Sequence, residues 1–130
     1  MSVVYVDTSA LGRVLQRESD APTITRELAA HGARLSSRLL AVELRRLALR
    51  TGRRGAAERL LSDIALLAVD EDTLAVAEQI EPSSVATLDA IHLATAVRLA
   101  TDGKLDAILT YDLRLAEGAR HHGIAVLAPT

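Results

Sequence analysis

Residues 3–9 read Val-Val-Tyr-Val-Asp-Thr-Ser. The first four are β-branched or aromatic, and their continuous apolar character predicts a short buried strand over residues 3–6. The side chains that follow carry oxygen atoms suited to helix capping, which predicts a short helix over residues 10–16. Asp7 therefore comes directly after a buried strand, and parallel α/β sheets bind their ligands just beyond the carboxyl ends of their strands.

The rest of the chain repeats this alternation of short apolar strand and helix. The strands are continuous apolar runs, which is typical of a parallel sheet covered on both faces. We therefore predict an α/β fold, a three-layer α/β/α sandwich with a central parallel sheet, as a single domain over residues 1–130. Gly55 is expected to separate two helices, and Thr87 to cap another. The predicted strands are 3–6, 34–37 (strand or connector), 66–69, 107–110 and 124–127, and the predicted helices are 10–16, 20–30, 38–50, 56–64, 72–80, 88–100 and 113–120.

The composition narrows the classes of protein to consider. Apolar residues make up 49% of the chain and charged residues 25%, as in an ordinary globular protein. The absence of cysteine excludes disulfides and thiolate metal sites. Tyr5 and Tyr111 are the only aromatic residues, which argues against nucleic-acid binding by aromatic stacking. No apolar run is long enough to span a membrane and no secretory signal is apparent, so we expect a cytoplasmic protein.

Basic residues are concentrated in one stretch, although the formal net charge is only −2. Guanidinium groups suit contact with phosphate. The sequence fits equally well a solvated helical face on which these arginines form ordinary ion pairs. The stretch contains Arg38, Arg45, Arg46, Arg50, Arg53, Arg54 and Arg59.

Four acids are placed where apolar segments end or turn inward, and each has an ordinary explanation. Asp7 and Asp112 follow predicted strands and could simply cap the next helices. Glu43 lies at the edge of a leucine face and could pair with Arg46. Asp89 lies in the first turn of a nearly all-apolar helix, where the helix dipole favours an acid. Glu43 and Asp89 are the harder two to explain in this way, because carboxylates on apolar helix faces need a cation.

The joint placement of the four acids points to a metal site. Two carboxylates about 4 Å apart repel by about 4 kcal/mol at an effective dielectric near 20, so several together must take up protons or bind a cation. An all-oxygen set of ligands selects Mg²⁺ or Mn²⁺ over zinc, and such an ion suits phosphodiester chemistry. Thr110 is expected to point into the same crevice and to hydrogen-bond a carboxylate or a water.

Four segments together resemble PIN-domain ribonucleases, specifically the VapC toxins of bacterial toxin–antitoxin pairs. The resemblance spans almost the whole chain, and it is the combination, order and spacing of the segments that make it specific. The segments are Val-Tyr-Val-Asp-Thr-Ser-Ala-Leu (4–11), Ser-Arg-Leu-Leu-Ala-Val-Glu-Leu-Arg-Arg (37–46), Leu-Asp-Ala-Ile-His-Leu-Ala-Thr-Ala (88–96), and Leu-Thr-Tyr-Asp (109–112) followed by Gly-Ile-Ala-Val-Leu-Ala-Pro (123–129).

The resemblance implies a function and a set of partners. It implies an endoribonuclease in which a pocket of four acids holds Mg²⁺ or Mn²⁺, and in which a water activated by the metal attacks an RNA phosphodiester. It also implies a homodimer that is neutralised by a VapB-type antitoxin, whose DNA-binding part is joined to a tail that occupies the toxin groove. The acids would be Asp7, Glu43, Asp89 and Asp112.

The resemblance also bears on the residues beside these acids. A hydroxyl next to the first acid is frequent in the family, and Thr8 or Ser9 fits that position. His92 fits the motif around the third acid, and we interpret it first as a structural histidine whose hydrogen bonds are satisfied.

Three other classes of protein share parts of this pattern. A haloacid dehalogenase-type phosphatase also begins with a strand ending in Asp, but it needs a second Asp where this chain has Ser9. A receiver-type signalling domain needs a lysine after a late strand, whereas Lys104 precedes its strand. A non-catalytic interaction module would leave the placement of four acids unexplained.

Overall fold

The computed structural model describes all 130 residues, Met1–Thr130, as alternating strands and helices. The strands are β1 (Val3–Val6), β2 (Ala33–Ser37), β3 (Ala65–Leu67), β4 (Ala107–Leu109) and β5 (Ala125–Leu127). The helices are α1 (Thr8–Leu15), α2 (Ala21–Ala29), α3 (Arg38–Thr51), α4 (Arg54–Leu61), α5 (Glu71–Ala77), α6 (Thr87–Thr101) and α7 (Leu113–His121).

The five strands form one parallel sheet in the order β3-β2-β1-β4-β5. The predicted α/β class and parallel sheet are confirmed. The direction of winding reverses between β1 and β4, and doubly wound sheets bind ligands at such a switch point. A receiver-type domain would instead have the order 2-1-3-4-5, so the observed order excludes that alternative.

The two faces of the sheet bury separate hydrophobic clusters, because successive side chains of a strand point to opposite faces. Val4 and Val6 pack with residues of α1 to α4, whereas Tyr5 packs with residues of α6 and α7. The sheet therefore has a helical layer on each side, which is the predicted α/β/α sandwich.

Helix α6 carries Asp89 and has more buried residues than any other helix. It was predicted to be a buried element, and six of its residues are buried, from Ala90 to Ala96. The helix lies between the sheet and the neighbouring helices α5 and α7, which explains its apolar character on most sides. No helix of the chain combines the length and the apolarity that crossing a membrane requires.

Several element boundaries differ from the sequence prediction. Gly55 lies inside α4 instead of separating two helices, and α4 ends at Leu61, three residues before the predicted end. Thr87 is the first residue of α6, whose N-cap is Ala86 without a side-chain hydrogen bond. Strand β4 ends at Leu109, so Thr110 follows the strand. Short apolar runs do not mark element ends sharply, because hydrogen bonding to neighbouring elements decides where a strand or helix stops.

Gly118 in α7 permits close packing against α6, and this generates a stability prediction. A Cβ atom there would lie 2.9 Å from Leu93 Cδ2 and 2.9 Å from Val85 Cγ2. We expect Gly118→Ala to lower the free energy of unfolding by about 1–3 kcal/mol, as overpacking does in other cores. Urea denaturation measures the change.

Gly55→Ala is the matched control, because Gly55 is also helical but exposed, and the nearest atom to an added Cβ is the Arg59 side chain at 3.4 Å. That variant should be neutral or more stable by up to about 1 kcal/mol, because alanine favours helix more than glycine does. Equal effects at the two positions would contradict the packing role of Gly118.

Candidate active site

Asp7 lies at the switch point, immediately after β1, and only 3% of its surface is exposed. Three donors converge on its Oδ2 atom. The hydroxyls of Ser9 and Thr110 donate to it at 2.6 and 2.9 Å, and the Ser9 backbone N–H donates at 3.4 Å. The last of these is the predicted capping contact at the start of α1, but it is long. Asp7 is therefore held mainly by hydroxyls, and its Oδ1 receives none of these hydrogen bonds.

Thr110 and Asp112 extend the same network beyond the end of β4. The Asp112 backbone N–H donates to the Thr110 hydroxyl at 3.1 Å, so Thr110 links Asp112 to Asp7. The predicted hydrogen bond from Thr110 to a site carboxylate is therefore present. Asp112 also caps α7, with its Oδ1 accepting from Leu115 N–H at 2.8 Å. Its other oxygen, Oδ2, accepts no hydrogen bond within the chain.

Glu43 on α3 is held by donors from two other helices. The Thr8 hydroxyl of α1 and His92 Nε2 of α6 both lie 2.7 Å from Glu43 Oε1. The alternative ion pair with Arg46 is absent. Glu43 is thus directed toward Thr8 and the segment that carries Asp7, and its Oε2 remains free of protein donors.

His92 connects Glu43 to the interior of the protein. Its side chain is fully buried, and its Nδ1 lies 2.6 Å from the Tyr5 hydroxyl, which is also buried. Its Nε2 lies 2.7 Å from Glu43 Oε1 and 3.8 Å from Asp7 Oδ1. His92 is thus a histidine with satisfied hydrogen bonds, as predicted, and its contact with Glu43 was not predicted. The available signal was the three-residue spacing from Asp89, which puts both side chains on one face of a helix.

The side chain of Asp89 makes no hydrogen bond, and it interacts with the other three acids only through its charge. The pKa of Asp89 is raised to about 6. Burial is the largest cause, and the negative charges of Asp7, Asp112 and Glu43 add to it, while His92 opposes them. The structure therefore places Asp89 within electrostatic range of the other three acids.

The pKa values of His92, Glu43 and Tyr5 are all shifted by their surroundings. Burial alone would lower the pKa of His92, but its hydrogen bond to Glu43 and the charges of Asp7, Glu43 and Asp89 outweigh burial and raise it. Burial likewise works against ionisation of Glu43, yet the hydrogen bonds from His92 and Thr8 lower its pKa. Burial raises the pKa of Tyr5 to about 12, so the phenol keeps its proton at neutral pH.

The donor set of this cluster fits a hard divalent cation. Each of Asp7, Glu43 and Asp112 has one oxygen engaged with the protein and one left over, and both oxygens of Asp89 are available. Carboxylate oxygens are the ligands that Mg²⁺ and Mn²⁺ prefer. As the side chains stand, no three acidic or histidine groups surround a common point at coordinating geometry. The predicted metal pocket formed by all four acids therefore stays a prediction.

The arginine-rich stretch occupies α3 and α4. Arg45 forms an ion pair with Glu58 at 2.9 Å, and Arg53 donates to the Leu15 carbonyl at 3.0 Å. Arg45 therefore fits the interpretation of an ordinary ion pair, whereas Arg53 is held by a backbone carbonyl. The other arginines of the stretch are exposed and form no salt bridge, so their guanidinium groups are available to contact phosphate. They are Arg38, Arg46, Arg50, Arg54 and Arg59.

Comparisons with known proteins identify the family of the chain. The family model described as PIN domain matches residues 4–126. Ribonuclease VapC46 of Mycobacterium tuberculosis (strain ATCC 25618 / H37Rv) is 39% identical over 132 residues, covering 100% of both chains. Ribonuclease VapC47 from strain CDC 1551 / Oshkosh of the same species is 36% identical, covering 98% of this chain and 97% of its own.

Among solved structures, a toxin–antitoxin complex from Klebsiella pneumoniae superimposes with a TM-score of 0.71 at 18% identity, covering 98% of each chain. At that identity the likeness shows the fold alone. The sequence relatives go further and remove the phosphatase and interaction-module alternatives, because they are named ribonucleases and are aligned over their full length. The chain belongs to the PIN domain family and, within it, to the VapC ribonucleases.

Proposed function

We propose that this chain is the toxin of a VapBC-type toxin–antitoxin pair, acting as one domain over residues 1–130. Its reaction is the hydrolysis of RNA phosphodiester bonds, dependent on Mg²⁺ or Mn²⁺. The ligands of the ion are Asp7, Glu43, Asp89 and Asp112, bound directly or through water.

One observation carries the assignment of the site. Burial and, after it, the negative charges of Asp7, Asp112 and Glu43 raise the pKa of Asp89 to about 6, so carboxylates that follow β1 and β4 and lie on α3 and α6 act on one another. Hydrogen bonds within the protein engage only one carboxylate oxygen of Asp7 and one of Glu43. Asp7 Oδ1 and Glu43 Oε2 accept no hydrogen bond from the protein. A cluster of this kind is costly for a protein to maintain unless a cation binds it.

The residues around the acids orient them for this role. Ser9 and Thr110 fix Asp7, Thr8 and His92 fix Glu43, and the start of α7 fixes Asp112. When bound, Mg²⁺ or Mn²⁺ activates water and stabilises the charge that develops on the phosphodiester oxygens. Asp89 is the least constrained acid, because no side chain or backbone group of the protein donates a hydrogen bond to it, and burial raises its pKa to about 6.

The remaining parts of the proposal concern partners. The unpaired guanidinium groups of α3 and α4, beyond Glu43, supply positive charge for the RNA backbone. A VapB-type antitoxin is supported by the structural likeness to a toxin–antitoxin complex. A homodimer and a cytoplasmic location complete the proposal, as is typical of the family. The RNA that is cut is a separate question, which mapping of fragment ends would answer.

Removal of one charge from the cluster should abolish activity and leave the fold intact. We expect Asp7→Asn and Asp89→Asn each to reduce RNA cleavage in Mg²⁺ or Mn²⁺ by at least about 100-fold, equivalent to about 2.7 kcal/mol of transition-state stabilisation. Gel analysis with and without chelator measures the cleavage. Asp102→Asn, at the exposed far end of α6, is the control and should cleave like the unmodified chain. Full activity in either site variant would refute the assignment.

Metal should stabilise the folded protein by relieving repulsion between the acids. At a free Mn²⁺ concentration about 100 times the dissociation constant, mass action gives about 2.7 kcal/mol. For a chain of this size, that corresponds to a rise in melting temperature of roughly 10 °C. Differential scanning calorimetry measures the rise, which should be much smaller in Asp89→Asn. An unchanged melting temperature in the intact chain would show that the acids do not share an ion.

The raised pKa of Asp89 predicts a pH dependence of stability in the metal-free protein. Between its ordinary pKa of 3.8 and about 6, the folded state binds more protons than the unfolded state, so the free energy of unfolding falls as pH rises through that range. Because Asp89 is only half buried, solvent screening reduces the expected loss to about 1 kcal/mol. The raised pKa of His92 acts in the same direction at higher pH.

Urea denaturation in chelator at pH 4, 5, 6 and 7 would test this dependence. Asp89→Asn should remove about 1 kcal/mol of the decline over this range, because the part due to His92 begins only near pH 6.5. A variant with the same pH profile as the unmodified chain would contradict the electrostatic coupling of Asp89 to its neighbours.

A further inference from the structure

We propose that His92 is a positioning residue, which together with Tyr5 fixes the Glu43 carboxylate in the orientation that binds metal. The inference rests on the proposed function, because it assigns a role toward the same metal site. It assigns a role in that site to two buried residues, a histidine and a tyrosine, in addition to the four acids. The three side chains form a continuous hydrogen-bonded chain, Tyr5–His92–Glu43.

The hydrogen bonds determine which way the imidazole donates. Glu43 is ionised and can only accept, so the proton on Nε2 is donated to Oε1 at 2.7 Å. In neutral His92 the Tyr5 hydroxyl donates to Nδ1, at 2.6 Å, which holds the proton of the ring on Nε2. In charged His92 both nitrogens donate. Glu43 therefore receives the same hydrogen bond in either state, and the role assigned to His92 does not depend on its titration.

The histidine is rigidly held, which a positioning residue must be. Neither His92 nor Tyr5 is exposed, and their rings meet edge to face, with centroids 5.7 Å apart and an interplanar angle of 75°. Helix α6 and strand β1 therefore fix the donor from both sides. Precise placement of a functional group requires supporting side chains that are themselves locked by packing and hydrogen bonds.

The contact on Glu43 is selective for one oxygen. His92 and Thr8 both bond Oε1, from α6 and α1 respectively, and neither bonds Oε2. Two donors on one oxygen restrict rotation of the carboxylate and leave the other oxygen available to an ion. The same Nε2 lies 3.8 Å from Asp7 Oδ1, so one donor also borders the free oxygen of a second acid. Partners that orient ligating carboxylates in this way tune metal affinity in other proteins.

A purely structural histidine would behave differently from a positioning one. Loss of a buried hydrogen bond lowers stability whichever ring nitrogen is affected. Only a positioning role makes metal affinity depend on the Nε2 side of the ring in particular. His92→Gln and His92→Asn separate these cases, because the glutamine amide reaches the place of Nε2 and can donate to Glu43, whereas the shorter asparagine amide stays near Nδ1 and Tyr5.

The test measures Mn²⁺ binding to the full chain by isothermal titration calorimetry, with melting temperatures as a check of folding. We expect His92→Asn to weaken Mn²⁺ binding by about 10- to 100-fold, the range found when orienting partners of metal ligands are removed. His92→Gln should lie within about 3-fold of the unmodified chain, a margin well below that same range. Equal dissociation constants for the two variants, whether both changed or both unchanged, would overturn the inference.

Two further variants make the result independent of the folding of His92→Asn. Tyr5→Phe removes the hydroxyl that anchors Nδ1 and so loosens the ring in either protonation state, while preserving packing. It should also weaken Mn²⁺ binding, and an unchanged affinity would count against the chain of three residues. In Glu43→Gln, adding His92→Asn should cause no further loss of affinity, and additive losses would show that His92 does not act through Glu43. If Glu43→Gln itself binds Mn²⁺ like the unmodified chain, the proposed function fails, which is a result distinct from failure of the His92 inference.

Discussion

Repulsion between carboxylates gathered at one end of a parallel sheet is the constraint on which the rest of this site depends. The chain folds so that β1 and β4, the two strands at the switch point, end in segments that carry Asp7 and Asp112. Helices α3 and α6 bring Glu43 and Asp89 to the same region. At about 4 kcal/mol for two charges 4 Å apart at an effective dielectric near 20, such a group is stable only with protons, donors or a cation nearby. Protein donors hold Asp7, Glu43 and Asp112, burial and neighbouring charges raise the pKa of Asp89, and the proposed function adds the cation.

Asp112 shows that one acid can both cap a helix and belong to the acidic cluster, two roles that the sequence presents as alternatives. Asp112 does cap α7, as its ordinary explanation holds, and it also contributes charge at Asp89. The cap uses one carboxylate oxygen and leaves the second one free. Glu43 is different, since its ordinary explanation as a partner of Arg46 is wrong and its partners are Thr8 and His92. Local explanations of a residue therefore need not exclude a functional one, provided that the side chain has two acceptor atoms.

Most of the fold was predictable because the strands of a parallel sheet covered by helices leave a continuous apolar signature. The runs at β1, β4 and β5 were recognised to within one residue at either end, and these strands lie at or beside the switch point. The prediction was weaker at β2, where Arg34 and two serines dilute the apolar signal. It was wrong at Gly55, which lies in the first turn of α4, because the first N–H groups of a helix have no partner within the helix and glycine is tolerated there.

The sequence by itself determined the alternation of strand and helix, the positions of four acids and, through the combination of motifs, the family. The tertiary structure alone decided how those acids are held. The hydroxyl of Thr110 meets Asp7 across 103 positions of the chain, and Tyr5 meets His92 across 87. Spacing along one helix or strand cannot predict such contacts, because they depend on the order in which strands pair and on the face of the sheet that each helix covers. For that reason the residues that orient the carboxylates became visible only in the folded chain.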